Sequence, residues 1–243
     1  MAVKISIIVP AFNEERLLGA SLAQIKSASA AFADIGWDTE LIVCDNNSND
    51  NTADIARSAG ATVVFEPINQ IARARNRGAS LATGAWLVFV DADSHPSPEL
   101  FRDVADHIRS GKCIAGGSTV RLDEHHFVGE VFTRLWNLIS RSFNYMAGSF
   151  IFCETSAFRK IGGFSNELFA GEELDLSQRL KKLARETGKK IVILHRHPIV
   201  SSARKMRLYT TGELFRFFAK AAFNKRRALT SREEAYLWYD GRR

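Results

Sequence analysis

Trp86-Leu87-Val88-Phe89-Val90-Asp91-Ala92-Asp93 decides how this chain is read. Five consecutive apolar residues, β-branched and aromatic among them, predict a buried strand, and open α/β sheets place their ligands at the carboxyl ends of such strands. Two carboxylates one residue apart stand at that end. Mg²⁺ and Mn²⁺ prefer oxygen ligands and are commonly held by one or two carboxylates, with phosphates and water completing the shell. Asp91 and Asp93 therefore suggest a metal-bridged diphosphate. The competing reading is a plain turn, because Asp favours turns and Ser94-His95-Pro96-Ser97-Pro98 continues as one.

Upstream of this stretch, strands are predicted at 5–9, 40–44 and 62–65, separated by helical segments near 15–32, 52–59 and 71–82. The alternation argues for a mostly parallel α/β sheet with helices on both faces, which puts the loops after each strand on one edge. Downstream, the pattern predicts a helix after Ser97, a strand near 113–116, an amphipathic stretch over 127–146, a helix over 172–186 and a strand at 191–194. The economical description is one domain over 1–205, followed by an amphipathic helical extension over 206–243 packed on it.

The first strand runs into Val9-Pro10-Ala11-Phe12-Asn13-Glu14-Glu15, where Pro10 is expected to stop the ladder. The second ends in Asp45-Asn46-Asn47-Ser48-Asn49-Asp50-Asn51-Thr52. Asp45 could accept a hydrogen bond from a base or ribose and Asn47 could help orient a nucleotide, while Asp50 or Thr52 reads as a helix cap.

Taken together, these blocks resemble family 2 glycosyltransferases, an inverting group with the GT-A fold. The resemblance rests on residues 5–15, on Glu40-Leu41-Ile42-Val43-Cys44-Asp45-Asn46-Asn47-Ser48, on Ala74-Arg75-Asn76-Arg77-Gly78 and on Phe89-Val90-Asp91-Ala92-Asp93, in that order, and covers roughly residues 4–200. It implies that Pro10, Ala11, Asn13 and Glu14 help enclose the donor nucleotide and that Asp45 and Asn47 lie at the base. Asp91, Ala92 and Asp93 then lie at the ribose and a divalent Mn²⁺ or Mg²⁺, and Arg75 pairs with donor phosphates. One departure is Asn46, where the family often carries a second Asp.

An inverting transfer needs a carboxylate general base beside the acceptor hydroxyl. The resemblance puts it in Gly171-Glu172-Glu173-Leu174-Asp175, where Glu173 stands in for the family's Asp and is the expected base, with Glu172 on the acceptor side. The start of the following helix is expected to keep Glu173 ionised, although acidic residues there can also serve only the helix dipole. Gly148 and Ser149, with Gly162-Gly163-Phe164, resemble the acceptor-side segment. His195 or His197, taken to follow the last strand, is a candidate third metal ligand. Arg204 or Arg207 could close over the diphosphate.

Composition sets the remaining bounds. With 46% hydrophobic residues over 243 the chain can bury a sizeable core, which excludes a disordered chain. Its 33 Lys and Arg against 27 Asp and Glu favour anionic partners, with no specific nucleic acid expected. Cys44, Cys113 and Cys153 have neither zinc nor redox spacing, so reduced core thiols and a cytoplasmic setting are expected, with no signal peptide and no transmembrane span. Leu214, Phe215, Phe217, Phe218, Ala221 and Ala222 alternate with basic residues, which fits docking on the chain's own core or peripheral contact with a membrane. The expected activity is transfer of a sugar from a nucleoside diphosphate sugar, UDP- or GDP-linked, to a hydroxyl acceptor, with a lipid-linked or cell-envelope acceptor as one form. Nucleotidyl transfer to a sugar phosphate and a non-catalytic nucleotide- or membrane-binding protein are the alternatives. No triphosphate-type glycine loop supports nucleotidyl transfer. Oligomeric state is left open.

Overall fold

The computed structural model describes residues 3–204 and Thr230. Four strands form the half of the sheet that the sequence predicts: β1 (Lys4–Ala11), β2 (Asp38–Asp45), β3 (Thr62–Phe65) and β4 (Trp86–Val90). They pair in parallel in the order β3-β2-β1-β4. Helices α1 (Leu18–Ala33), α2 (Thr52–Ser58) and α3 (Ile71–Leu81) connect them, as βαβ crossovers require. All five side chains of β4 are buried, the burden of a strand covered on both faces. Strand alternation divides the core. Ile5, Ile7 and Val9 pack with α1 and with α4 (Pro98–Arg109) on one face, while Ile8, Ile42 and Leu87 pack with α3 and with α7 (Glu172–Thr187) on the other.

Pro10 does not stop β1, which stays in register with β2 through Pro10↔Cys44 and Ala11↔Asp45. Neighbouring residues of a strand turn their hydrogen-bonding groups to opposite sides. The Ala11 carbonyl accepts from Asn46 N–H on the β2 side, so the missing N–H of Pro10 faces β4, where pairing has already ended at Ile8↔Phe89. No ladder bond is lost.

The other half of the sheet is more strand-rich than the sequence suggests. β6 (Cys113–Leu122) and β8 (Lys190–Ser201) pair in parallel, β7 (Phe150–Glu154) runs antiparallel between β4 and β6, and the two-residue β5 (Ser94–His95) joins the far edge against β8. The stretch read as a turn after Asp93 is thus partly a strand. β8 extends well past 194 because a bulge takes up Pro198: Leu194 faces Ser118 and Ile199 faces Val120, leaving four residues of β8 opposite Thr119. The short helix α6 (Thr155–Lys160) was not expected from the sequence.

α4 follows the capping rules closely. Ser97 Oγ accepts from Leu100 N–H, Pro98 stands at the first turn, and His107 and Arg109 close the last turn. α5 (Phe127–Phe143) ends at Asn144, whose left-handed backbone (φ 50°) stops the helix before 146. Cys44, Cys113 and Cys153 are free and buried, as expected of core thiols, and burial pushes the Cys44 thiol up to about 12. Among the described residues no helix is long and apolar enough to cross a membrane. Apart from Thr230, the 206–243 extension, including Arg207, lies outside the described residues.

Candidate active site

The carboxyl edge of the sheet collects the loops that follow β1, β2 and β4. The first two are tied directly to each other. Asn13 N–H donates to Ser48 Oγ (3.0 Å) and Asn13 Oδ1 accepts from Asn49 N–H (2.9 Å). Glu14 N–H donates to Thr52 Oγ1, and Asp50 accepts from the N–H groups of Glu15 and Thr52. Asn13 (φ 51°) and Asn47 (φ 65°) take the left-handed conformation that Asn tolerates better than most residues. Asp45 is buried and its Oδ1 accepts from Ser48 N–H, whereas Asn47 is exposed and donates to Asn69 Oδ1. The N-cap of α2 is Asn51, which makes no side-chain cap bond, so neither Asp50 nor Thr52 is the cap expected from the sequence; Asp50 stands one residue before it and holds the first helical residue through Thr52 N–H.

Asn46, the departure from the family pattern, has a structural task. Its amide donates to the carbonyls of Glu66 and Ile68 and accepts from Gln70 N–H, pinning the β3–α3 loop against the end of β2. A carboxylate could accept the last bond but not donate the first two.

After β4 the chain turns sharply, with Ser94 N–H donating to the Asp91 carbonyl (3.0 Å). Asp91-Ala92-Asp93 is therefore both a turn and a pair of carboxylates at the edge. Asp91 N–H donates to the Ser149 carbonyl and the Asp93 carbonyl accepts from Ser202 N–H, so the turn is braced by the start of β7 and the end of β8. Ala92 is buried beneath it. Glu14 meets Arg204 at 2.7 Å, and the same Arg204 nitrogen lies 3.9 Å from Asp93 Oδ2.

Arg75 joins the parts of the site. Fully buried, it donates from Nη1 to Glu172 Oε1 (2.7 Å) and from Nη2 to Asp91 Oδ1 (2.9 Å) and the Gly148 carbonyl (2.9 Å). The guanidinium also lies over the Phe164 ring, 5.2 Å from its centroid. These partners occupy both of its terminal nitrogens, so Arg75 holds protein carboxylates where the resemblance implied donor phosphates. Asn76 next to it accepts from Phe164 N–H and donates to the Phe164 carbonyl and Asn166 Oδ1. This packs Gly163 (φ 70°) so closely that a Cβ there would meet Asn76 Oδ1 at 2.6 Å.

Gly171 opens α7 in the left-handed conformation (φ 71°), which glycine adopts without steric cost. Glu172, Glu173 and Asp175 fill the first turn. Glu172 is buried against Arg75, and Asp175 pairs with Arg179 on α7's own surface. Glu173 is half-buried, and its carboxyl is pushed up to about 8 by burial first and by the charge of Glu172 second, with Arg75 opposing. The expectation that the helix start keeps Glu173 ionised is thus reversed, because burial and a like charge outweigh the amide dipoles. Ser149 Oγ, between Gly148 and β7, is buried without a hydrogen-bond partner among the described residues.

His195 and His197 do not follow the last strand; both lie within β8. His195 is exposed and His197 Nδ1 lies 2.9 Å from Asp103 Oδ2 of α4. His197 is four residues short of Ser201, about 13 Å along a strand, so the bulge that lengthens β8 leaves it behind the edge. Among the described residues no three His, Cys, Asp or Glu side chains gather around a cation-sized space. Asp91 and Asp93 fit a hard cation that draws most of its ligands from phosphate and water, not a site closed by protein alone.

The Glycosyl transferase family 2 model matches residues 6–160. The chain is 33% identical over 113 residues to an uncharacterized glycosyltransferase of Mycobacterium tuberculosis, covering 46% of this chain and 47% of that relative. It is 32% identical over 93 residues to the Escherichia coli UDP-Glc:alpha-D-GlcNAc-diphosphoundecaprenol beta-1,3-glucosyltransferase, covering 37% of this chain and 34% of the other. The chain thus spans at most about half the length of these curated relatives. The fold is similar to that of a Pyrobaculum calidifontis mannosyltransferase solved with GDP-Man and Mn²⁺, at a TM-score of 0.68 and 20% identity over 98% of this chain and 70% of that one. Staphylococcus aureus TarS residues 1–349 give a TM-score of 0.64 at 19% identity, over 96% and 68%.

Proposed function

The chain belongs to glycosyl transferase family 2, and from that premise we propose that it moves a sugar, with inversion, from a nucleoside diphosphate sugar to a hydroxyl acceptor. The observation that carries the reading is the buried Arg75, which binds Asp91 just after β4 and Glu172 at the start of α7, holding the Asp91-Ala92-Asp93 turn near the residue that precedes the proposed base. In this reading the loops after β1 and β2 enclose the nucleotide, with Asp45 toward the base and Asp91 and Asp93 toward the ribose and diphosphate. Mn²⁺ or Mg²⁺ held by Asp91 and Asp93 neutralises charge on the leaving diphosphate when bound. Glu173 takes the proton of the acceptor hydroxyl as its oxygen bonds to the anomeric carbon, and the bond from that carbon to the diphosphate breaks on the opposite face. Gly148 and Ser149, whose Oγ has no hydrogen-bond partner among the described residues, line the acceptor side. The E. coli relative acts on a diphosphoundecaprenol-linked sugar, which makes a lipid-linked acceptor one candidate class.

The test is the thermal stability of the purified protein with UDP, GDP, dTDP or CMP, with Mn²⁺ or with chelator. One diphosphate at a hundredfold excess over its Kd should stabilise by about 2.7 kcal/mol only when the cation is present. Asp93→Ala should remove that gain, while Glu173→Gln should keep it and lose transfer. An Asp93→Ala protein that is still stabilised in a cation-dependent way overturns the donor assignment.

A further inference from the structure

Helix α5 is built unlike the other long helices. Of its seventeen residues only Gly129 and Ser140 are buried, although Phe127, Val131, Leu135 and Leu138 recur at intervals of four, four and three, one face of a helix. Those four are 83%, 52%, 53% and 64% exposed, and Phe143 beyond them is 60% exposed. Continuous apolar faces of this kind mark interaction surfaces. α5 is an insertion between the end of β6 and the start of β7, both at the carboxyl edge, and Asn137 anchors it there by exchanging bonds with the backbone of Val120.

The described chain leaves the sheet beside this helix. Asp123 N–H donates to the Ser201 carbonyl and Asp123 Oδ1 accepts from Ala203 N–H, four residues before α5 begins. Arg204 is held in turn by Glu14. In the sequence that follows, Leu214, Phe217, Phe218, Ala221 and Ala222 repeat at the spacing of one helix face. The ten residues from Arg204 to Leu214 can reach about 33 Å, and a helix of seventeen residues is about 25 Å long, so the segment can reach any part of α5.

We propose that the exposed apolar face of α5 is the docking site of this chain's own segment 205–229. Two apolar stripes adjacent along the chain's path cover each other, and the covered helix walls the carboxyl edge on the side of β4 away from the nucleotide loops. The proposal does not depend on the donor or the reaction.

The experiment measures maleimide labelling of the full chain carrying Leu138→Cys, with Phe127→Cys as a second reporter and Glu186→Cys, exposed on α7, as the control. The native Cys44, Cys113 and Cys153 are buried and contribute little. Docking predicts that the α5 reporters label about tenfold more slowly than the control, and that Phe217→Asp with Phe218→Asp in the same chain restores the control rate. Reporters that label at the control rate without vesicles overturn the proposal, and protection that then arises only with anionic vesicles assigns the face to a lipid surface. Protection that survives the tail substitutions also overturns it; if that protection fades on dilution, the occupant is a second copy of the chain.

Discussion

Glu173→Gln tests the electrostatics of the site without a substrate. In the folded protein the Glu173 carboxyl titrates at about 8, against an ordinary 4.5. A carboxyl raised in this way holds its proton in the folded state while the unfolded chain releases it, so stability falls as pH rises between those two values. Below 4.5 both states are protonated and the difference vanishes; above 8 both are ionised and the loss is complete. By pH 7 the full linkage amounts to about 3.4 kcal/mol, and partial solvent contact reduces the expectation to about 2 kcal/mol. Gln mimics the protonated form and does not titrate. The variant should therefore match the wild type near pH 4.5 and exceed it by about 2 kcal/mol at pH 7, or roughly 6 °C in Tm for a domain of this size. Urea or thermal unfolding of both proteins from pH 4.5 to 9 reads this directly. A stability difference that stays constant within about 0.5 kcal/mol across that range refutes the assignment of a raised carboxyl. The catalytic counterpart follows from the same value. A proposed base raised in this way is mostly protonated at pH 6.5, so transfer at saturating cation should rise with pH between 6.5 and 9, and a rate that is flat over that range refutes the role of Glu173.

Two further substitutions probe the framework. Arg75→Met leaves the buried Glu172 and Asp91 without their cation and should cost about 3–5 kcal/mol, read as a fall of about 10 °C in Tm; a loss below about 1 kcal/mol would show that the carboxylates find other partners. Asn46→Asp restores the residue common in the family, yet it should destabilise by about 1–3 kcal/mol, because the carbonyls of Glu66 and Ile68 lose their shared donor. An unfolding midpoint unchanged by this substitution would mean that the β3–α3 loop is held by Gln70 alone.

The sequence made the first half of the sheet legible and the second half much less so. β3 and β4 match the predicted bounds, since each is a run of strand-forming residues between clear breakers. β7 is hard to read from sequence because Phe150-Ile151-Phe152-Cys153 is a short apolar run without polar alternation, which a buried helix segment could equally carry. β8 runs past the expected end at 194 because a bulge accommodates Pro198, and no local signal announces that bulge. That bulge also decides the fate of the histidines, which only a shorter strand could have brought to the edge.

Arg75 shows where local reading ends. The motif singles out a guanidinium at the start of a helix, and phosphate is the natural partner to guess for such a group. Its actual partners stand 16, 73 and 97 residues away in the chain, on three different segments, and none of those separations follows from periodicity or spacing. Only the sheet order, which seats β7 beside β4 and brings α7 over the same edge, places Asp91, the Gly148 carbonyl and Glu172 around one side chain. The same arrangement sets the competition at Glu173, where Glu172 raises the carboxyl and Arg75 lowers it. Arg75 is one link shared by Asp91 and by Glu172, the neighbour of Glu173, so its loss should disturb Asp91 and the pH dependence of Glu173 together. A change confined to either would mean that the two ends of the cleft are held independently.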